Sequence, residues 1–213
     1  MKPDASHAEL REWITQHLDP LDDNRSGPQD GDMVQNPWAP TGEKVVVRPA
    51  AVLVGLVERD RGYSVLLTKR SETLRSHTGQ VALPGGRLDP GETTWQAALR
   101  EAHEEIGLHP DYVTVAGLTT PYLTGTGFLV TPVVGFVREG YTLKPNADEV
   151  DEIFETPFGF LMDPANHEKR ELESPQGERR FFYAMTHENR TIWGATAGML
   201  RSLYDRLYGV ALA

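Results

Sequence analysis

The chain has 213 residues, 39% of them hydrophobic, with 20 glycines and 15 prolines, which is enough apolar material for one globular unit with a short extension. With no cysteine, disulfides, zinc–thiolate sites and thiol nucleophiles are excluded, so any metal must be held by oxygen or imidazole, a preference that favours Mg²⁺ or Mn²⁺. A formal net charge of −10 sets the chain against nucleic acid and anionic membranes as partners, and an anionic substrate would need a local basic patch. No apolar run is long enough to span a bilayer, and the polar start from Met1 to Leu10 has no signal-peptide character, so a cytoplasmic location is expected. Nothing in the residues excludes a homodimer.

In chain order, Ser6 and Glu9 form a capping-box pattern, and Leu10, Trp13, Ile14 and Leu18 follow at helical spacing. They predict a short amphipathic helix whose apolar face packs on the domain. Asp19 to Gly42 is rich in Asp, Asn, Gly and Pro without periodicity and reads as an irregular surface segment. Residues 1–44 are therefore helix and linker, and 45–213 the main domain. Ala50 to Val57 and Tyr63 to Thr68 are strand-like runs around a charged turn from Glu58 to Gly62, the pattern of a hairpin. Gln80 to Leu83 is a short third strand ending at Pro84, Gly85 and Gly86.

A second capping box, Thr93 with Gln96, opens a run of Trp95, Ala98, Leu99, Ala102 and Ile106 at helical spacing that Gly107 stops. Beyond it, Tyr112 to Leu118, Phe128 to Val137, Ile153 to Glu155 and Arg180 to Met185 read as strands, and Phe158 to Met162 as a short helix. Ala195 to Leu207 carries Met199, Leu200, Leu203, Tyr204 and Leu207 at helical spacing and is the closing helix. Strands mixed with helices in this order predict a mixed sheet covered on both faces, an α/β fold.

On the central helix, Glu101, Glu104 and Glu105 fall together beside the apolar stripe. Their i,i+3 and i,i+4 spacing makes them repel, and a divalent cation would reverse that sign. A Glu-rich helix is more often a solvated face, so these carboxylates alone decide nothing. The surrounding pattern does. Gly86 is followed after five residues by Glu92, after seven more by Arg100 and Glu101, then Ala102, His103, Glu104, Glu105, Ile106, Gly107 and Leu108. This closely resembles the box that defines the Nudix hydrolase family, with every charged position filled and Ala102 smaller than the usual bulky apolar residue.

The resemblance implies a three-layer α/β/α sandwich with a mixed β-sheet, spanning about residues 45 to 207, that cleaves a nucleoside diphosphate linked to another group. It implies Glu101 and Glu105 as core metal ligands, Glu104 holding a further metal, the Gly85 carbonyl completing the coordination, and Arg100 paired with Glu92 to hold the helix face in register. Water attack on a diphosphate needs charge neutralisation and a deprotonated nucleophile, which bound Mg²⁺ provides, and a carboxylate base. Glu104 is one candidate for that base. Glu149, in the acidic stretch Asn146 to Glu152, is the other, although such a stretch reads equally well as a solvated charge run.

Just before the box, Lys69, Arg70, Arg75 and His77 make a positive cluster in an otherwise acidic protein, suited to holding a polyanion. As a bare cluster it is equally well an ordinary charged surface. The whole stretch from Leu66 to Gly86, with its Leu-Leu-Thr, Arg-Ser, Leu-Arg, His, Gly-Gln-Val and Pro-Gly-Gly elements, resembles the signature of the coenzyme A pyrophosphatase branch, with Leu83 in place of Phe. That resemblance implies hydrolysis of coenzyme A, and acyl-CoA forms with it, to 3′,5′-ADP and 4′-phosphopantetheine, with Lys69, Arg70 and Arg75 as substrate-binding residues. Two other readings stand beside it: a Nudix hydrolase acting on ADP-ribose or a dinucleotide, and a catalytically silent module that binds a nucleotide. The intact set Glu92, Arg100, Glu101, Glu104 and Glu105 speaks against the silent module.

Overall fold

The computed structural model describes residues 6–21, 34–35, 47–60, 62–72, 79–173 and 179–209. Their elements are α1 (His7–Gln16), β1 (Val34–Gln35), β2 (Arg48–Arg59), β3 (Gly62–Arg70), β4 (Val81–Ala82), β5 (Gly85–Arg87), α2 (Thr94–Ile106), β6 (Val113–Leu118), β7 (Tyr122–Leu123), β8 (Phe128–Val137), β9 (Val150–Pro157), α3 (Phe158–Leu161), β10 (Glu168–Glu173), β11 (Arg179–His187), β12 (Arg190–Trp193) and α4 (Ala195–Tyr208). β2 is the axis of the main sheet. It runs parallel to β8 from Arg48 to Val57 and antiparallel to β3 and β5. β9 pairs with the far side of β3, so the sheet is mixed.

Alternation along β2 sends its side chains into two cores. Ala50, Val54 and Leu56 enter one, and Ala51, Leu53 and Val57 the other, as the two-residue period of a strand requires. A strand apolar on both faces must be covered on both. α2 covers the second core with Ala98, Leu99, Ala102 and Ile106. The first is covered by α1, α3 and α4 through Leu10, Ile14, Phe158, Leu161, Leu200 and Leu203. The result is the three-layer α/β/α arrangement expected. No helix among the described residues is long and apolar enough to cross a membrane.

Both capping boxes form. Ser6 and Glu9 exchange side-chain to backbone hydrogen bonds, and so do Thr93 and Gln96. The hairpin of β2 and β3 turns where the charged Glu58 to Gly62 segment stands. Gly107 ends α2 with φ 72° and donates its N–H to the His103 carbonyl. A Cβ there would lie 3.1 Å from the backbone nitrogen of Lys144, so glycine serves both the left-handed cap and the close passage of the 144 segment.

Several elements depart from the sequence reading. β9 begins at Val150 rather than Ile153, because its ladder with β3 extends to the pair of Arg70 and Val150. β10 is exposed along its whole length and has no apolar alternation to read; it exists through its ladder with β11, in a separate sheet of β10, β11 and β12. Within Asp19 to Gly42, whose composition predicts irregular structure, Val34 and Gln35 pair in parallel with β7, while most of that segment lies outside the described residues.

The burial of α1 makes a direct prediction. Ile14 is 0% exposed, so Ile14→Ala should destabilise the protein by about 3 kcal/mol and lower Tm by roughly 6 to 12 °C. A loss below about 1 kcal/mol in chemical denaturation would mean that the helix is not part of the core.

Candidate active site

The carboxylate face of α2 is organised by one guanidinium. Arg100 Nε donates to Glu92 Oε1 at 2.9 Å and Nη2 to Glu92 Oε2 at 3.1 Å, the fork-to-carboxylate pair expected from the spacing. Nη2 also donates to the Arg87 carbonyl at 3.0 Å. The same side chain goes further than expected: Nη1 reaches Glu101 Oε1 at 2.9 Å and Glu104 Oε2 at 3.1 Å. Arg100 thus answers part of the repulsion among the helix carboxylates from within the chain. Its hydrogen bonds hold Glu92 below the usual carboxylate range, and those to Glu92 are the largest cause of the rise in its own pKa. Arg100 sits one helical turn before Glu104, which is the signal that could have revealed the extra contact.

The three box carboxylates do not share one environment. Glu104 is turned outward, with its side chain 56% exposed. Glu101 is half-buried, and burial pushes its carboxyl up despite Arg100. Glu105 is only 5% exposed and lies under the helix, where its Oε2 accepts the Gly85 N–H at 3.1 Å. Desolvation raises its pKa to about 7, and the Glu101 and Glu149 carboxylates add to the rise; the Gly85 N–H and Arg70 oppose it. The glycine turn makes the approach feasible. A Cβ on Gly86 would stand 2.4 Å from Glu101 Oε1, and one on Gly85 would stand 2.2 Å from the Ala51 carbonyl.

The acidic stretch meets this helix at its C-terminal end. Lys144 and Asn146 donate their backbone N–H groups to the Ile106 and Glu105 carbonyls, satisfying two of the last carbonyls of α2. Glu149 follows one turn later, close enough to act electrostatically on both Glu101 and Glu105. Its carbonyl accepts the Ser71 N–H at 2.9 Å, which ties the stretch to the end of β3.

The cations before the box divide. Arg70 pairs with Val150, which belongs to the α2-side core, and its charge is felt by Glu105. Its Nε is buried with no hydrogen-bond partner. Lys69 lies opposite Glu152 and Val81, and Val81 belongs to the α4-side core; its ammonium pairs with Glu72 at 3.3 Å. Thus Arg70 is brought to the carboxylates and Lys69 is not. Arg75 and His77 lie outside the described residues.

The donor set fits a hard divalent cation. Glu105 is buried near the Glu101 and Glu149 carboxylates, with the Gly85 N–H as its hydrogen-bond partner among the described residues, and carboxylate oxygens are what such a cation takes. Among the described residues no three acidic or imidazole side chains already form a closed cage, and Glu101 and Glu104 lean on Arg100 instead.

Because the folded pKa of Glu105 lies above its ordinary value of 4.5, the folded state holds the proton more tightly than the unfolded chain. Its ionisation therefore subtracts stability as pH rises from about 4.5 through 7. Glu105→Gln keeps an acceptor for Gly85 and removes the charge. In metal-free buffer at pH 8 it should gain on the order of 2 kcal/mol, a few degrees in Tm, and the gain should vanish near pH 4. A lower Tm than wild type at pH 8 would contradict the desolvated carboxylate.

The NUDIX domain family model matches residues 47–177. The uncharacterized Nudix hydrolase NudL of Citrobacter koseri is 39% identical over 163 residues, covering 76% of this chain and 84% of that protein. NudL of Photorhabdus laumondii is 39% identical over 161 residues, covering 75% and 85%. Among solved structures, the Nudix hydrolase RenU of M. smegmatis matches at 23% identity with a TM-score of 0.52, over 78% of this chain and 89% of that one, a likeness of fold. With the box helix, its glycine turn and the sandwich around them in place, the chain belongs to the Nudix hydrolase family.

Proposed function

We propose that the protein is a divalent-metal-dependent diphosphatase that splits coenzyme A, and acyl-CoA with it, into 3′,5′-ADP and 4′-phosphopantetheine. The observation that carries the diphosphatase reading is Glu105, a desolvated carboxylate held among Glu101 and Glu149 on the helix of the family box. The coenzyme A reading rests on the stretch from Leu66 to Gly86 and on Arg70, whose buried Nε has no protein partner and whose charge acts on Glu105.

In this reading Glu101 and Glu105 hold a Mg²⁺ or Mn²⁺ ion, Glu104 contributes to a further one, and the Gly85 carbonyl completes the donors. When bound, such an ion neutralises charge on the phosphate oxygens and acidifies a water molecule. Glu149 takes the proton from the attacking water. What favours it over Glu104 is its surroundings: Glu104 is solvated and paired with Arg100, whereas the half-buried Glu149 acts electrostatically on both Glu101 and Glu105. Arg100 and Glu92 keep the carboxylate face of α2 in register. Arg70 holds a substrate phosphate, together with Arg75, and Lys69 is left outside the pocket.

Two measurements test this. Diphosphate hydrolysis should stop in a strong chelator and return with Mg²⁺ or Mn²⁺, since the carboxylates alone leave the phosphate charge unanswered; full turnover in metal-free buffer would refute the mechanism. Arg70→Ala should reduce kcat/KM for coenzyme A about tenfold more than for dephospho-CoA, because the 3′-phosphate loses a charge-assisted hydrogen bond. Glu105→Gln should harm both substrates alike. An unchanged ratio in Arg70→Ala would remove Arg70 from the 3′-phosphate pocket.

A further inference from the structure

We infer that Asn146 is a positioning residue that sets the carboxylate of Glu149 against the C-terminal end of α2, an inference that rests on the reading of Glu149 as the base. Asn146 uses each of its polar groups in a different direction. Its N–H donates to the Glu105 carbonyl at 2.9 Å, on the helix that carries the box carboxylates. Its own carbonyl accepts the N–H groups of Glu149 at 2.9 Å and Val150 at 2.8 Å. The side-chain Oδ1 accepts the Asp148 N–H at 3.3 Å, and Nδ2 donates to Glu149 Oε1 at 3.2 Å. The amide orientation follows from its partners. A flipped amide would set its oxygen against the Glu149 carboxylate and its NH₂ against a backbone N–H, two contacts without an acceptor or a donor.

Three of these bonds make the turn, and one does something a turn does not need. Capping Asp148 requires only an acceptor, which Asp or Ser supplies as well as Asn. The Nδ2 bond to Glu149 fixes the rotamer of a half-buried carboxylate and leaves the second oxygen, Oε2, without a bond from Asn146. Because the Asn146 backbone is bonded to Glu105 itself, the distance between the proposed base and the metal-binding carboxylate is set through one residue. A base must be aimed to within hydrogen-bond reach of the water it deprotonates, so a loosened Glu149 lowers turnover without weakening substrate binding.

The test is a double-mutant cycle of Asn146→Ser and Glu149→Gln. It is assayed at saturating Mg²⁺ on whichever of coenzyme A, ADP-ribose and a dinucleotide the wild type cleaves fastest. Serine keeps an acceptor for the Asp148 N–H and no longer reaches Glu149. Asn146→Ser should lower kcat about tenfold with KM changed by less than about twofold, and Tm should stay within about 2 °C of wild type. On the Glu149→Gln background the same substitution should cost nothing further, because its effect runs through the lost base. Should Asn146→Ser fail to fold, Asn146→Asp, which keeps the Asp148 cap and withdraws the donor, takes its place in the cycle. A silent Glu149→Gln refutes the base assignment and this inference with it. A damaging Glu149→Gln beside a silent or fully additive substitution at Asn146 overturns the positioning role alone.

Discussion

The structure turns on the placement of one carboxylate, that of Glu105, beneath a helix whose neighbouring positions are apolar. Ala102 and Ile106 on either side of it are in the core, so the backbone geometry that buries them takes Glu105 with them. Burial of an ionised group without an equal countercharge is unfavourable, and the described residues offer the Gly85 N–H and the field of Arg70 in return. That deficit is what a bound cation would answer in the proposed reading. Arg100 sharpens the contrast, since it neutralises Glu101 and Glu104 and makes no contact with Glu105.

The scaffold around this carboxylate keeps it from escaping. α2 is fixed at its start by the Thr93 and Gln96 capping box and at its end by Gly107, with the Lys144 to Asn146 segment bonded to its last carbonyls. β5 is paired to β2 at Gly85, which leaves no room for a Cβ beside the Ala51 carbonyl. The rigidity of β2, buried on both faces between two cores, thereby passes to the glycine turn. Its precision is inherited by every group that would meet the diphosphate.

Much of this was legible in the sequence because it is local. Capping boxes, the stop at Gly107, the hairpin at Glu58 to Gly62 and the apolar strand run of β2 are all short-range patterns with one physical reading. The bidentate pair of Arg100 and Glu92 followed from the family box. What was hidden depends on register and on partners far away in sequence. Lys69 and Arg70 are adjacent and chemically alike, and strand alternation sends them to opposite faces; which face holds the carboxylates depends on α2, which packs on the Leu66 side of β3 and not on the Leu67 side. β10 carries no pattern because its neighbours, not its composition, make it a strand. Asn146 looked like one polar residue in an acidic run, and only the crossing of that run over the end of α2 shows what it touches.

The most direct test of the account is to incubate the purified protein with Mg²⁺ and, separately, coenzyme A, an acyl-CoA, NADH, ADP-ribose and a dinucleoside polyphosphate, and to identify the products by mass. The account predicts 3′,5′-ADP and 4′-phosphopantetheine from coenzyme A, formed faster than any product from the other nucleotides. Intact coenzyme A beside rapid cleavage of ADP-ribose or a dinucleotide would contradict it.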